Sequence, residues 1–456
     1  MKLTLAKLAV ITGATLRGAD TTVHDIGIDS RTLKPKSLFV AIRGEQFDGH
    51  DFIAQAQASG AIALLVERPL ESSLPQLVVD NARIALGLIA GYQRREFTIP
   101  VIGVTGSCGK TTTKSLIASV LAQAGRTLST QGTLNNDIGV PLTLFNLGFK
   151  HDFAVIEMGA NHPGEIAHLT NMVRPTIGLI TNAAPVHLEG FGSLEGVSAA
   201  KAELYQNLPV DGLAILNIDD AQQAYWRNVI GARSYLTYGL NSSADVFGTD
   251  ASLNDQGLLS FTLHHHGDSA MIKLPLLGMH NIHNALAAAA VGFSLGLAIK
   301  TIQKGLQKAE AMPKRIHRLA GIHHTTLIDD SYNANPTAFK VAIQLLCQLE
   351  QSGERVLIMG DMAELGSDAE KWHADVGHFA KTAGIARLLT VGTLSANASM
   401  AFGPDAEHFN DQERLIASLK QTLTPRSIVL IKGSRSARME NIVSALTYSN
   451  PISSST

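Results

Sequence analysis

VIGVTGSCGKTTTK, residues 101–114, decides the fold, because an apolar strand passes through a glycine-containing loop into a helix. In this layout the backbone N–H groups of the loop can surround phosphate groups at the helix N-terminus. The match is to the short pattern G-x-x-G-K-T, since the longer eight-residue pattern would require glycine at Val104. A plain glycine turn is the alternative. The strand–loop–helix context favours a nucleotide phosphate site in a parallel α/β sheet.

The loop contains the side chains that phosphate binding needs. Lys110 is expected to contact the outer phosphates of ATP, and the Thr111 hydroxyl is expected to bind Mg²⁺. Cys108 lies within the loop, where a small residue that merely fits is the simplest interpretation. The residues predicted to bind ATP from this loop are Gly106, Ser107, Cys108, Gly109, Lys110, Thr111 and Thr112.

Length and charge limit the possible classes of protein. A chain of 456 residues predicts about three domains. The net charge of −2 gives no general attraction for nucleic acid or an anionic membrane. Two cysteines are too few for a disulfide framework and favour a reducing, cytoplasmic compartment. Lys7 interrupts the apolar N-terminal run, and no apolar stretch is long enough for membrane insertion.

Three successive units with alternating strands and helices are predicted. Residues 1–97 form a small α/β unit, 98–312 a central unit with a parallel sheet and helices on both faces, and 313–456 a Rossmann-like unit. Arg94 to Pro100 is interpreted as a hinge, and residues 245–278 as an antiparallel hairpin added to the central sheet. The predicted strands include 37–42, 61–66, 76–79, 101–106, 153–159, 176–182, 212–219, 325–330, 355–361, 387–392 and 427–433.

Two further polar side chains follow strands of the central unit. Glu157 ends the strand after the phosphate loop, and His187 follows the next strand. Both are expected at the carboxyl edge of the sheet, where an acid can complete a metal site. A lone histidine in a loop, such as His187, is more often a surface residue. Lys201 lies on a predicted helix, and without further information it is interpreted as a solvated lysine.

Taken together, the motifs resemble the Mur ligase family. The resemblance extends through all three units in order, so it covers nearly the whole chain. The segments that carry it are 105–114, 132–143, 155–166, 183–193, 198–203, 278–290, 329–336, 360–366 and 432–440.

The resemblance implies a reaction in peptidoglycan synthesis. ATP phosphorylates the terminal carboxylate of UDP-N-acetylmuramoyl-tripeptide, and the amine of D-alanyl-D-alanine attacks the acyl phosphate. Lys110, His187 and Lys201 are the catalytic residues that the resemblance implies. Thr111, Glu157, His187 and Lys201 would bind Mg²⁺, with Lys201 carbamylated so that it becomes an anionic ligand. The third residue of the stem peptide, lysine or diaminopimelate, stays open, and a monomer is expected.

Further binding residues follow from the same resemblance. Asn281 and Asn284 would meet the nucleotide from the central unit, and Arg315 and Asp330 from the third unit after the domains close. Ser30 and Arg31 are expected to bind the UDP-sugar, although Arg31 could equally be a surface residue. The other residues expected near the acceptor peptide or the dipeptide are Asn135, Asn136, Asp361, Glu364, Lys432, Ser434 and Arg435.

Three alternatives compete with this interpretation. The ligase that adds the third stem residue is the nearest, but its diaminopimelate-using members carry an Asp-Asn-Pro-Arg string that this sequence lacks. Folylpolyglutamate synthetase lacks a unit like residues 1–97. A nucleotide-dependent regulatory protein, in which ATP only changes the conformation, is disfavoured by the set Lys110, Glu157, His187 and Lys201.

Overall fold

The N-terminal unit is built around a five-stranded sheet in the order β2-β7-β6-β5-β4, in which β2 pairs antiparallel to β7 and the other pairs are parallel. The computed structural model describes residues 2–44, 46–349 and 353–448. The strands are β1 (Leu3–Thr4), β2 (Thr15–Arg17), β3 (Thr22–Val23), β4 (Asp25–Gly27), β5 (Ser37–Val40), β6 (Ala61–Val66) and β7 (Gln76–Val78). The helices are α1 (Leu5–Thr12), α2 (Ile53–Ala58) and α3 (Ala82–Arg95).

The junction to the central unit is joined by hydrogen bonds in this structure, and the interpretation of residues 94–100 as a hinge stays a prediction. Arg94 is buried at the end of α3. Its guanidinium donates to the carbonyl oxygens of Phe97 at 2.6 Å, Val173 at 2.8 Å and Arg174 at 3.1 Å. The guanidinium thus donates to backbone carbonyl groups of both units at their junction.

The central unit contains a nine-stranded sheet in the order β16-β15-β14-β13-β12-β11-β8-β10-β9. Its strands are β8 (Val101–Thr105), β9 (Thr127–Ser129), β10 (Phe153–Glu157), β11 (Ile177–Ile180), β12 (Leu213–Asn217), β13 (Tyr235–Gly239), β14 (Val246–Leu253), β15 (Leu258–His265) and β16 (Asp268–Leu277). Its helices are α4 (Lys110–Leu121), α5 (Gly139–Phe145), α6 (Glu165–Val173), α7 (Leu188–Phe191), α8 (Leu194–Gln206), α9 (Gln223–Ile230), α10 (Asn281–Ser294) and α11 (Ile299–Gln307).

Apolar side chains alternate between the two faces of this sheet. Ile102 and Val104 of β8 belong to a core with α4 and α10, whereas Val101 belongs to a core with α6 and α8. The helices therefore cover both faces, as predicted. The expected hairpin is instead a three-stranded extension, because β14 continues the parallel sheet beside β13 before β15 and β16 reverse direction.

The third unit is a six-stranded sheet in the order β17-β18-β22-β19-β20-β21, parallel except for β17. Its strands are β17 (His317–Ala320), β18 (Thr326–Asp330), β19 (Arg355–Gly360), β20 (Arg387–Val391), β21 (Ala406–Phe409) and β22 (Ile428–Lys432). Its helices are α12 (Pro336–Gln348), α13 (Ala369–Thr382), α14 (Ala396–Phe402), α15 (Gln412–Thr422) and α16 (Glu440–Leu446). These features confirm the predicted three-unit α/β architecture.

Local caps fix two helices that carry site residues. The side chain of Ser193 accepts a hydrogen bond from Gly196 N at the start of α8, which carries Lys201. Asn335 caps α12 in the same way through Ala338 N, and Pro336 takes the first helical position.

Among the described residues, no helix combines the length and apolar character that a membrane span requires.

Candidate active site

A cavity of about 1070 Å³ lies where the central and third units meet. Its lining includes the phosphate loop together with Arg315 and Asp330, so the two groups of predicted ATP residues face one space. A neighbouring cavity of about 740 Å³ shares Lys110 and His187 with it and adds Glu364 and Arg435. Residues from separate units thus form one continuous region at the carboxyl edge of the central sheet, the expected position for a ligand in an open α/β sheet.

The glycines of the phosphate loop are required by its geometry. Gly106 has φ of 139°, and a Cβ there would lie 2.0 Å from Thr181 Oγ1. Gly109 has φ of 80°, and its Cβ would lie 2.5 Å from Asn284 Oδ1. Both positions therefore admit only glycine without rearrangement. The loop leads directly into α4. The free N–H groups of the first turn of α4 therefore lie at the end of the helix that faces the cavity.

Lys110 is folded back onto its own loop. Its Nζ donates to Gly106 O at 2.5 Å and to Ser107 O at 3.1 Å. Burial is the main cause that lowers the pKa of this ammonium group, and Glu157 opposes the shift. An anion bound in the loop would give Lys110 charged oxygen partners in place of neutral carbonyl oxygens. Hydrogen bonds from an ammonium group to a charged oxygen are stronger.

Glu157 is buried at the end of β10 and lies at the centre of the polar groups. Its Oε1 accepts from Asn135 Nδ2 at 2.8 Å and from Thr111 Oγ1 at 3.2 Å. Within the described chain, its Oε2 has no hydrogen-bond partner although the side chain is only 1% exposed. Lys114 Nζ approaches this oxygen at 3.5 Å. A buried carboxylate oxygen without a hydrogen bond is available to a cation.

The donor set fits magnesium. Thr111 and Glu157 supply hard oxygen atoms within 3.2 Å of each other, and Mg²⁺ prefers oxygen ligands with few of them from protein. The described residues contain no group of three or more His, Cys, Asp or Glu side chains arranged for a metal ion. A site completed by phosphate oxygens and water needs no such cluster.

His187 lies at the boundary between the central and third units. It has φ of 49° and immediately precedes α7, and its Nδ1 contacts Glu364 Oε2 of the third unit. Burial lowers the pKa of the imidazole, Glu364 raises it, and Lys110 and Lys201 lower it further. Lys110 and His187 line both cavities, whereas Lys201 lines neither, so a site shared by all three predicted catalytic residues stays a prediction.

Lys201 is buried in α8, which corrects the interpretation as a solvated lysine. The residue is 1% exposed, its Nζ donates to Ala160 O at 3.3 Å, and the ammonium lies 5.1 Å from the centre of the Phe191 ring. Burial, with a further contribution from Lys110, lowers its pKa to about 7. A substantial neutral fraction near neutral pH makes this amine a nucleophile.

The two residues of α10 that are predicted to bind the nucleotide form a chain of hydrogen bonds that reaches α4, the helix after the phosphate loop. Asn281 Oδ1 accepts from Asn284 Nδ2 at 2.8 Å, and Asn284 Oδ1 accepts from Thr113 Oγ1 at 3.0 Å. Both asparagines are buried and line the larger cavity. The chain fixes the start of α10 against α4.

The third unit presents a cation and a buried ion pair. The Arg315 guanidinium lies 4.3 Å from the centre of the Tyr332 ring. Asp330 Oδ2 accepts from Lys432 Nζ at 2.5 Å, and its Oδ1 accepts from Ile316 N at 3.2 Å. Burial raises the pKa of Asp330, and Lys432 opposes this shift. Lys432 therefore holds Asp330 and the segment next to Arg315 at the cavity wall.

The predicted substrate residues separate into groups. Ser30 Oγ donates to Gln55 Oε1 at 2.9 Å, and exposed Arg31 pairs with Asp29 at 2.7 Å. Neither Ser30 nor Arg31 lines the two cavities described above. They remain predictions for a sugar site in the N-terminal unit.

Two other predicted substrate residues have a structural function in this conformation. Asn136 Oδ1 accepts from Gly139 N at 2.9 Å at the start of α5, although the residue also lines the larger cavity. Asp361 accepts from Thr393 N at 3.0 Å and from Ser395 N at 2.7 Å, and it lines neither cavity. Asp361 thus supports a loop of the third unit.

Of the remaining residues of this group, Glu364, Ser434 and Arg435 line the smaller cavity, whereas Asn135 and Lys432 line the larger one. Arg435 Nη1 donates to Glu440 Oε1 at 2.7 Å, and Lys314 Nζ donates to the same oxygen at 3.2 Å. Ser434 is buried and contacts Ser436 Oγ at 3.0 Å. Glu364 completes this wall.

Sequence reasoning assigned no role to Lys114, Thr133, Tyr332 or Asn335, which the structure places at the site. Lys114 Nζ donates to Thr130 O at 2.8 Å and Gly132 O at 2.9 Å. Asn335 Nδ2 donates to the Cys108 sulfur at 3.5 Å across the unit boundary. All lie inside the quoted motif segments, but only their spatial proximity reveals these contacts.

Comparisons with known proteins agree with this geometry. Residues 22–110 match the description Mur ligase family, catalytic domain, residues 104–292 match Mur ligase middle domain, and residues 314–435 match Mur ligase, glutamate ligase domain. The Escherichia coli UDP-N-acetylmuramoyl-tripeptide–D-alanyl-D-alanine ligase is 46% identical over 98% of both chains. The Bacillus subtilis enzyme of that name is 34% identical over 98% of this chain and 99% of its own.

Comparison with solved structures also finds similarity to Mur ligases. A crystal structure of MurF from Acinetobacter baumannii has a TM-score of 0.91 at 36% identity and covers 97% of this chain and 98% of that one. MurF ligase from Thermotoga maritima, in complex with ADP, has a TM-score of 0.81 at 26% identity and covers 93% and 97%.

Proposed function

The chain belongs to the Mur ligase family, and from this premise we propose that it is the ATP-dependent ligase that adds D-alanyl-D-alanine to UDP-N-acetylmuramoyl-tripeptide. The product is the pentapeptide precursor of peptidoglycan. Relatives of that name align over 98% of the chain, which includes all three units. The observation that carries the proposal is that the phosphate loop, Glu157 and the third unit's Arg315 and Asp330 line one cavity.

The reaction needs cations because several negative charges come together. Transfer of a phosphoryl group from ATP to a carboxylate brings two anions into contact, and the amine attack then forms a tetrahedral oxyanion. Lys110 would hold the transferred phosphoryl group, and Arg315 would approach the phosphates from the third unit. Asn281 and Asn284 would position the nucleotide. These residues supply charge and position without forming covalent bonds themselves.

Magnesium, when bound, would neutralise the phosphate oxygens and lower the barrier to transfer. Thr111 and Glu157 would hold one ion, and His187 with Lys201 a second. In the second site we propose a carbamylated Lys201. The neutral Lys201 amine would attack CO₂ through its nitrogen lone pair, and loss of one proton from nitrogen would leave a carbamate. Burial of this lysine, with a pKa of about 7, supports the proposal.

The acceptor and the dipeptide would approach from different units. Ser30 and Arg31 would bind the UDP-sugar, and Asn135 and Asn136 the peptide stem. The smaller cavity would receive the dipeptide. The residues proposed to contact it are Glu364, Ser434 and Arg435. Lys432 and Asp361 would support this side of the site.

Residues 1–97, 98–312 and 313–456 would act as three separate domains. The protein would be a cytoplasmic monomer.

Phosphate release tests the function directly. The full-length protein with ATP and Mg²⁺ is given UDP-N-acetylmuramoyl-tripeptide, in its lysine and diaminopimelate forms, with and without D-alanyl-D-alanine. We expect phosphate release that requires the dipeptide, together with a UDP-pentapeptide product seen by mass spectrometry. The two acceptor forms also reveal the preferred third residue.

Paired variants exclude a contaminating ATPase. Lys110→Ala is expected to abolish the release, whereas Lys308→Ala, at an exposed position beyond α11, keeps it. Release only with UDP-N-acetylmuramoyl-dipeptide and a single amino acid would instead identify the ligase that acts one step earlier. ATP binding without release in any combination would favour a regulatory protein.

A further inference from the structure

Tyr332 connects the third unit to the central unit at the edge of the larger cavity. It follows β18 and is anchored there because its backbone N donates to Lys314 O at 3.1 Å. Its hydroxyl donates to Thr133 Oγ1 at 2.5 Å across the boundary. The residue is half-buried and lines both cavities. The function proposed above gives it no role.

The partner of Tyr332 belongs to a segment with a defined position. Thr133 lies in residues 132–136, the 132–136 loop. Lys114 Nζ donates to Gly132 O on one side of Thr133, and Asn135 O accepts from Gly159 N at 2.8 Å on the other. Asn135 Nδ2 also donates to Glu157. A hydrogen bond to Thr133 is therefore fixed relative to the buried carboxylate.

The ring of Tyr332 is shared by two cations. The Arg315 guanidinium lies 4.3 Å from the ring centre, and the Arg435 guanidinium lies 6.0 Å from it. An aromatic ring attracts guanidinium groups through its negative faces. The hydroxyl and the ring of one side chain thus contact different groups, and substitutions can separate their effects.

We propose that Tyr332 is a positioning residue that places Arg315 and Arg435 against the 132–136 loop when the third unit meets the central unit. Its hydroxyl sets the distance to the loop, and its ring orients the two guanidinium groups toward the cavities. This role rests on the proposed ligase function, because the arginines matter for catalysis only if nucleotide and dipeptide bind there.

A double-mutant cycle in the full-length protein tests the link. Tyr332→Phe removes the hydroxyl and keeps the ring, and Thr133→Val removes the acceptor and keeps the shape. Each is expected to lower kcat/KM for ATP about fivefold, the loss expected from one neutral hydrogen bond. The double variant is expected to lose no more than either single variant, because both remove the same bond.

Further variants separate the hydroxyl from the ring. Thr133→Ser retains a hydroxyl and is expected to recover most of the loss seen with valine. Tyr332→Leu is expected to lose more than Tyr332→Phe, and this additional loss should vanish in a background that carries both Arg315→Ala and Arg435→Ala. Tyr225→Phe, which removes a hydroxyl from the partly exposed tyrosine of α9, serves as the matched control and should retain full activity.

Hydrogen–deuterium exchange gives a measurement that does not need turnover. Peptides that contain the 132–136 loop should exchange faster in Tyr332→Phe than in wild type, with an ATP analogue present. Unchanged exchange, multiplicative losses in the cycle, or full activity of Tyr332→Phe would each overturn the proposal. If the wild type lacks dipeptide-dependent phosphate release, the proposed function fails, while the exchange experiment still decides whether the link exists.

Discussion

Lys201→Met is expected to make the protein more stable while removing its activity. Lys201 is 1% exposed, its Nζ donates to Ala160 O at 3.3 Å, and the ammonium lies 5.1 Å from the centre of the Phe191 ring. Burial is the main cause that lowers its pKa from 10.5 to about 7. Methionine has a similar length and no charge, so it can fill the same space.

The magnitude follows from the pKa. A decrease from 10.5 to about 7 corresponds to about 5 kcal/mol, at about 1.4 kcal/mol for each pKa unit, by which burial and, second to it, the charge of Lys110 disfavour the charged form of Lys201. Loss of the hydrogen bond and of the contact with Phe191 offsets about 2 kcal/mol. Near pH 7, Lys201→Met should therefore raise the free energy of unfolding by about 3 kcal/mol.

The pH dependence has a definite sign. Between pH 7 and pH 10.5 the unfolded chain keeps the Lys201 proton while the folded chain releases it, so wild-type stability rises with pH in this window. Below about pH 7 both states are protonated, and the full penalty persists. The methionine variant lacks this dependence, so its advantage should shrink by about 2 to 3 kcal/mol between pH 7 and pH 9.

Urea unfolding in buffer free of metal, nucleotide and bicarbonate is the appropriate assay. Trp226 is a suitable reporter because it is fully buried and its Nε1 donates to Ser198 O of α8, the helix that carries Lys201. Lys308→Met, at an exposed position, is the control and should change stability little. A methionine variant that is less stable than wild type, or whose advantage does not change with pH, would refute the reasoning.

Three further outcomes are expected. Lys201→Ala should lose most activity, and small carboxylic acids that fill the vacated space should restore part of it in phosphate-release assays; wild-type activity of the variant would exclude an essential carbamate. Glu157→Gln should lower the free energy of unfolding by about 3 kcal/mol, because buried Lys114 loses the carboxylate 3.5 Å away; an unchanged urea midpoint would argue against that pair. Gly106→Ala should weaken ATP binding, measured by calorimetry, roughly tenfold or more, because its Cβ would lie 2.0 Å from Thr181 Oγ1; unaltered affinity would contradict the loop geometry.

Much of the architecture follows from local patterns in the sequence. The strand before Gly106, the glycines and Lys110 form a continuous segment whose conformation depends on near neighbours, so a phosphate loop can be predicted there. Glu157 follows from the rule that parallel strands end at one edge of a sheet. The three-stranded extension was only partly predicted, because alternation identifies strands without specifying that β14 pairs parallel to β13.

The sequence by itself determined the three α/β units, the phosphate loop and, through family resemblance, the set of charged residues. Only the tertiary structure decided their environments. Lys201 lies on an ordinary helix, and its low pKa arises from the burial of its ammonium and the proximity of Lys110. Tyr332 and Thr133 are far apart in sequence and meet only when two units pack together. Burial and contacts between distant segments depend on how the sheets are arranged in space, and local sequence patterns carry no direct record of that arrangement.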